Sequence, residues 1–125
     1  MKNIALIMRR EAVAQALMKS LLERNDIRLT FEPNYAFADI AVRSNDAETA
    51  LIEIDESGEY DTSYCLELCV RLRKELPKCK LLIMCPEQDK DSIFKVITAK
   101  QERFIDDFVF CDSTITYLSS KLLSL

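Results

Sequence analysis

Residues 66–85 read Leu66-Glu67-Leu68-Cys69-Val70-Arg71-Leu72-Arg73-Lys74-Glu75-Leu76-Pro77-Lys78-Cys79-Lys80-Leu81-Leu82-Ile83-Met84-Cys85. The apolar period changes inside this stretch. Cys65, Leu68, Cys69, Leu72 and Leu76 recur every three or four residues, the stripe that buries one face of a helix. Asp61 or Thr62 can cap its start by accepting from free backbone N–H groups. Pro77 stops it, because proline lacks an N–H and disfavours helical backbone in the residue before it. Lys80–Cys85 is then the most apolar run of the chain, closed by Pro86, and reads as a strand covered on both faces.

The flanking sequence repeats this alternation. Asn3–Met8 is a short apolar strand, and Glu11–Arg24 a helix with Val13, Leu17, Met18, Leu21 and Leu22 on one side. Asn25-Asp26 turns the chain into a strand at Ile27–Phe31. Pro33 and Asn34 interrupt it before a weaker helix, Tyr35–Arg43, carrying Phe37, Ile40 and Ala41. The polar stretch Ser44-Asn45-Asp46 leads to a strand at Thr49–Asp55, and Glu56–Tyr60 reads as a loop by its polarity and its glycine. Asp89–Thr98 is a helix with Ile93, Phe94 and Ile97, and Phe108–Cys111 a last strand. Asp112 or Ser113 caps Thr114–Leu125, whose inward face is Ile115, Leu118, Leu122 and Leu125. Five strands alternating with five helices predict an α/β domain with a parallel sheet, helices on both faces and right-handed crossovers. No repeat, low-complexity tract or linker divides the chain, so 1–125 is expected to be a single domain.

Composition removes several function classes. At 125 residues the chain is long enough for a real core, and its 49% hydrophobic and 30% charged content is that of a soluble globule. No run approaches the roughly 20 apolar residues needed to cross a bilayer, so no membrane partner is expected. A net charge of −4 argues against direct nucleic-acid binding, which needs clustered Lys and Arg. Histidine is absent, which removes Ser–His and Cys–His pairs and His-containing metal sites. Gly58 is the only glycine, so no Gly-rich phosphate loop exists, and neither an enzyme nor a cofactor is expected. Five cysteines, an odd number with no secretion signal, indicate reduced thiols and a cytoplasmic setting. Cys65 and Cys69 lie on the buried stripe, where cysteine acts as a small hydrophobe.

Leu66–Pro77 followed by Lys80–Met84 resembles the third helix and fourth strand of bacterial response-regulator receiver (CheY-like) domains. Asp106-Asp107-Phe108-Val109-Phe110 resembles the family's approach to its fifth strand. The resemblance spans essentially the whole chain and implies a flavodoxin-like (βα)5 sandwich, strand order 2-1-3-4-5, with the site outside the carboxyl ends of the strands. The family pattern has an acidic pair after strand one, a phospho-accepting Asp ending strand three, Ser or Thr after strand four, and Lys-Pro after strand five. Here the acidic-pair positions fall on Arg9 and Arg10, with a shift of one bringing in Met8. The Ser/Thr position falls on Cys85, the lysine on Cys111, and Asp112 replaces the proline. Phe108 matches the aromatic that changes rotamer in switching receivers. Asp55 is the phospho-acceptor equivalent, with Glu53, two residues earlier on the same strand face, as the alternative.

The resemblance thus implies an atypical member. Phosphoryl transfer to a carboxylate needs Mg²⁺ to neutralise the phosphoryl oxygens, and two arginines at the metal's place oppose it. Arg9 and Arg10 either pair inward with Asp55 or Glu53, or face solvent at a helix start with Glu11 balancing their charge. The expected function is a two-component-type signalling module that works through protein–protein contact without Mg²⁺-dependent phosphorylation. In this family the partner or homodimer face is made by helix four, strand five and helix five, here about Asp89 to Leu125, with Phe94, Phe104, Phe108 and Tyr117 as apolar anchors. The alternatives are a working phospho-acceptor that uses Asp55, and a flavodoxin-like cofactor binder. A redox variant would use Cys85 and Cys111.

Overall fold

A computed structural model describes residues 1–55 and 58–125; the loop expected at Glu56 and Ser57 lies outside the described residues. The elements in chain order are β1 (Lys2–Ile7), α1 (Glu11–Ser20), β2 (Ile27–Glu32), a 3₁₀ turn (Tyr35–Phe37), α2 (Ala38–Ser44), β3 (Thr49–Glu53), α3 (Thr62–Glu75), β4 (Lys80–Cys85), α4 (Lys90–Gln101), β5 (Asp107–Phe110) and α5 (Ile115–Ser124). The strands form one parallel sheet in the order β2-β1-β3-β4-β5. This is the flavodoxin-like α/β architecture expected from the alternation of periods.

Successive side chains of a strand point to opposite faces, so fully apolar strands build two cores. Ile4, Leu6, Met8, Leu51, Leu82, Met84 and Val109 pack with Ala14 and Leu17 of α1 and with Leu118 and Leu122 of α5. Ala5, Ile7, Ala50, Ile52, Leu81 and Ile83 pack with Val42 of α2, Leu68 and Leu72 of α3, and Val96 of α4. Cys65 and Cys69 are fully buried in this second core. In register, Ile7 faces Ile52, Glu53 faces Met84, and Cys85 faces Phe110. The carboxyl ends of the four strands β1, β3, β4 and β5 therefore meet along one edge.

Several boundaries differ from the sequence reading, each for a local reason. β3 ends at Glu53 rather than Asp55, because the Asp55 N–H donates to Tyr60 O at 2.8 Å and folds the chain back. α1 ends at Ser20; its last turn tightens as Leu22 N donates to Lys19 O, and Leu22 is left exposed. Phe37 and Ile40, expected to carry the second helix, also face solvent, and Tyr35 is buried instead. Thr114, not Asp112 or Ser113, caps α5, accepting from Tyr117 N at 3.1 Å. Asp61 caps α3 and Asp89 caps α4 through their carboxylates.

α2 and α4 both stop on a residue in the left-handed region, Asp46 (φ 48°) and Arg103 (φ 67°). After α2, Ala47 N donates to Val42 O and Asp46 N to Arg43 O. After α4, Phe104 N donates to Ala99 O and Arg103 N to Lys100 O. Both are the paired closure that satisfies free carbonyls at a helix end, which usually uses glycine at the left-handed position. A chain with one glycine spends a β-carbon clash there instead.

Candidate functional site

At the carboxyl edge of the sheet the buried carboxylate is that of Glu53, 3% exposed at the end of β3. Its Oε1 accepts from Arg9 N at 2.9 Å and from Arg10 N at 3.2 Å, and its Oε2 accepts from Arg10 Nε in a direct ion pair. Arg10 is the residue preceding α1 and makes no side-chain cap of its own. The anion held there also lies at the helix's positive end, where it is favoured. Arg10 continues across the edge, donating from Nη2 to Cys111 O at 3.4 Å. One guanidinium thus ties the start of α1 to the end of β3 and to the chain just past β5.

Arg9 points elsewhere. Its Nη1 donates to Pro33 O at 3.4 Å, and its guanidinium carbon lies 5.7 Å from the centre of the Tyr60 ring. Met8, the residue a one-position shift would bring in, is fully buried in the α1–α5 core. Of the two inward-or-outward readings for the arginines, Arg10 takes the inward one with Glu53.

Asp55 lies past the strand end, half-buried, in a turn closed by its N–H to Tyr60 O and by Gly58 N to its own carbonyl at 3.4 Å. A β-carbon at position 58 would sit 2.8 Å from Asp55 Oδ2, so glycine is the residue that lets this carboxylate lie against the backbone. Cys85 is buried at the end of β4, its carbonyl accepting from Cys111 N at 3.0 Å. Burial pushes the Cys111 thiol up to about 12, so it stays protonated and unreactive at neutral pH. Phe108 is half-buried, packed edge-on against Phe110 with centroids 5.7 Å apart.

Sequence reasoning missed the aromatic support beneath this edge. Tyr35, fully buried, donates its hydroxyl to Glu53 O at 2.5 Å, and Cys65 Sγ donates to the same carbonyl at 3.7 Å. Burial pushes the Tyr35 phenol up, which keeps it a neutral donor. Tyr60 stacks flat on Tyr35 at 4.1 Å, and its hydroxyl donates to Asn34 Oδ1 at 3.2 Å. Tyr64 tilts against Tyr60 at 5.1 Å. Such ring contacts contribute about 0.5–1.5 kcal/mol each beyond their burial. The available signal was the pair Tyr35 and Tyr60 flanking the third strand, since a buried tyrosine must find a partner for its hydroxyl.

The residues present do not fit the Mg²⁺ that receiver chemistry uses. Both Glu53 oxygens are already committed, Oε1 to two backbone N–H groups and Oε2 to the Arg10 guanidinium. At ~4 Å and an effective dielectric of ~20, that charge would repel a divalent ion by about 4 kcal/mol per unit charge pair. A millimolar Mg²⁺ site is stabilised by only about 4 kcal/mol in total.

No family model matches the chain, and no curated protein matches it. Solved structures do. A response regulator from Thermotoga maritima superposes with a TM-score of 0.75 at 19% identity, over 98% of this chain and 95% of that one. A CheY-like receiver domain protein from Methanospirillum hungatei JF-1 gives 0.77 at 14% identity, over 99% and 92%. A structure described as adenylate cyclase from Rhodopirellula baltica gives 0.80 at 15% identity, over 98% and 85%. Among the described residues no helix is long and apolar enough to cross a membrane. With its strand order, its five flanking helices and a site edge at the strand ends, this chain has the fold of response-regulator receiver domains.

Proposed function

We propose that this chain is a cytoplasmic, receiver-like signalling module that works by protein–protein contact, without enzymatic activity of its own and without Mg²⁺-dependent phosphorylation. One observation carries the reading: the Arg10 guanidinium is ion-paired to the buried Glu53 carboxylate at the end of β3, and we take it to stand in for the divalent cation of a phosphorylated receiver. Glu53, as the carboxylate at the end of β3, is the residue proposed to stand at the acceptor position, with Asp55 just beyond it in the turn. An internal cation of this kind is part of the polypeptide and does not exchange, which favours one fixed pocket over a metal-gated one.

The face made by α4, β5 and α5 is the proposed contact surface for a protein partner. Phe110 and Tyr117 are exposed on it, while Phe108 is half-buried. Asp107 ties its three elements together, paired with Lys100 of α4 at 2.9 Å and with Lys121 of α5. A contact surface benefits from such stiffness, because less side-chain freedom is lost on binding.

The test is intact-mass spectrometry after incubation with acetyl phosphate and Mg²⁺. The expected result is no phosphoryl adduct. An adduct that disappears in Asp55→Asn or Glu53→Gln would overturn the reading and install the phospho-acceptor alternative.

A further inference from the structure

β2 is one of the two outer strands of the sheet and pairs only with β1. None of its six residues is fully buried, although Ile27, Leu29 and Phe31 are large apolar side chains packed on the α1–α5 core. The ends of its ladder fix which backbone groups are open. Lys2 N donates to Asp26 O at 2.7 Å and Met8 N to Glu32 O at 3.3 Å, so the even-numbered residues turn N–H and C=O toward β1. Backbone direction alternates along a strand, so Ile27, Leu29 and Phe31 turn theirs outward, to the unpaired edge. Ile27 N is met by Arg24 O at 3.5 Å, which leaves Leu29 and Phe31 as the open donors.

The side chains of this edge are self-complementary. Reversed about Thr30, the stretch Arg28-Leu29-Thr30-Phe31-Glu32 sets Arg28 opposite Glu32, Leu29 opposite Phe31 and threonine opposite itself. Opposite charges and threonine pairs are favourable cross-strand partners. Arg28 is exposed, and neither it nor Glu32 makes an ion pair with another described residue. The Glu32 carboxylate accepts from Asn34 N at 3.0 Å. The backbone agrees with the same centre. Leu29 and Phe31, which turn N–H and C=O outward, become the hydrogen-bonded pairs, while Thr30 with itself and Arg28 with Glu32 become the non-hydrogen-bonded pairs, whose side chains lie closer. On the α1 face, a groove of about 190 Å³ is lined by Met18, Leu21, Leu22, Ile27 and Leu29, with Leu22 76% exposed.

We propose that β2 pairs with β2 of a second copy of the chain, antiparallel about a two-fold axis at Thr30, so that the two sheets join into one continuous sheet. Leu29 exchanges N–H···O bonds with the partner subunit's Phe31, and Phe31 with the partner's Leu29, an isologous contact. Arg28 meets the partner's Glu32 on one face of the joined sheet. On the other face the partner's Phe31, opposite Leu29 and diagonal to Ile27, covers the groove. Charged side chains on an edge strand ordinarily block stray pairing. Here they select the register, because centring the pair on Arg28 or on Glu32 would set like charges opposite each other. The self-complementary order of the strand is what favours a second copy over a strand from an unrelated protein. β2 and β5 are opposite edges of the sheet, so this pairing leaves the face made by α4, β5 and α5 open and does not depend on the phosphorylation reading.

Sedimentation velocity of the intact chain across a concentration series, read together with amide hydrogen exchange, tests this. The wild type is expected to dimerise, and the Leu29 and Phe31 N–H groups to become protected as the dimer forms. Arg28→Glu and Glu32→Lys are each expected to weaken the dimer by at least about tenfold. An equimolar mixture of the two variants is expected to associate again, because each supplies the charge the other has lost. Far-UV circular dichroism should be unchanged in both, since neither side chain belongs to a core cluster. A wild type that stays monomeric up to about 100 µM would overturn the proposal and leave the edge to a strand of another protein. A dimer whose Leu29 and Phe31 amides exchange as freely as in the monomer, or two variants that do not associate when mixed, would overturn it as well.

Discussion

Removing the Arg10 guanidinium tests the reading of the site most directly. Glu53's side chain is 4% exposed and Arg10's is 46% exposed, so the anion is desolvated while the cation keeps about half its water. A bare Coulomb term at ~4 Å and an effective dielectric of ~20 is about 4 kcal/mol. Solvent around the guanidinium and the cost of burying the carboxylate reduce this to roughly 1–2 kcal/mol of net coupling, between the values for surface and buried pairs. The two backbone donors, Arg9 N and Arg10 N, survive substitution at Arg10 and keep the carboxylate partly satisfied. Arg10→Met is therefore expected to cost about 2 kcal/mol rather than the 3–5 kcal/mol of a fully orphaned buried charge. Glu53→Gln is expected to cost a similar amount, because an amide must turn an N–H₂ group toward one set of donors. Urea unfolding of both singles and the double variant gives the coupling from the cycle. The double is expected near 2–3 kcal/mol of loss, short of the ~4 kcal/mol sum. Additivity within about 0.3–0.5 kcal/mol would refute the reasoning, since Glu53 would then be held by backbone amides alone and no cation would occupy the site.

Three further outcomes follow from other contacts. Burial pushes the Asp107 carboxyl up, but hydrogen bonds from Lys121, Lys100 and Phe108 N outweigh it and hold it down at about 2. A depressed carboxyl adds stability present above its unfolded value of 3.8 and lost as pH falls toward 2, here roughly 2 kcal/mol. Acid unfolding should show this loss in the wild type and lack it in Asp107→Asn, whereas parallel pH curves would exclude it. Arg103→Gly should stabilise by about 1 kcal/mol, raising Tm by about 4 °C, because glycine at the left-handed end of α4 relieves a β-carbon clash. Arg103→Ala, which keeps the β-carbon, is the control and should give no such gain. Burial pushes Cys69 and Cys111 up to about 12 and Cys79 up to about 11, and pushes Cys65 up as well. Titration with a disulfide reagent near pH 8 should find these four thiols slow in the native state and all five thiols fast in denaturant. Rapid native reaction at Cys111 would instead revive the redox reading.

How much of this was legible depended on the range of the interactions. Lys80–Cys85 was found with both boundaries because Leu81–Cys85 is apolar at every position, as a doubly covered strand is, and Pro86 closes it. The stripe Cys65, Leu68, Cys69, Leu72 was legible because helical periodicity and burial share one cause. The end of β3 was not, because Glu53 and Asp55 alternate identically along the chain and only Tyr60, further on, takes the Asp55 N–H. The direction of Arg10 was equally hidden. A charged residue before a helix has no period to betray it, and its partner lies 43 residues away. The buried role of Tyr35 was missed for the opposite reason: its hydroxyl's acceptor is a main-chain carbonyl, Glu53 O, which any residue supplies.

These long-range contacts converge on one peptide. The Glu53 side chain accepts from the start of α1, while the Glu53 carbonyl accepts from Tyr35 and Cys65. Arg10 then carries the link on to Cys111 O beyond β5. In a metal-gated pocket these strands would be bridged by an ion that comes and goes; here covalently attached groups bridge them. On the proposed reading the consequence is an edge held by the chain's own groups, whose geometry does not respond to phosphate supply. On the proposed reading, information must therefore enter through the other surfaces, by the concentration of a partner at the face made by α4, β5 and α5.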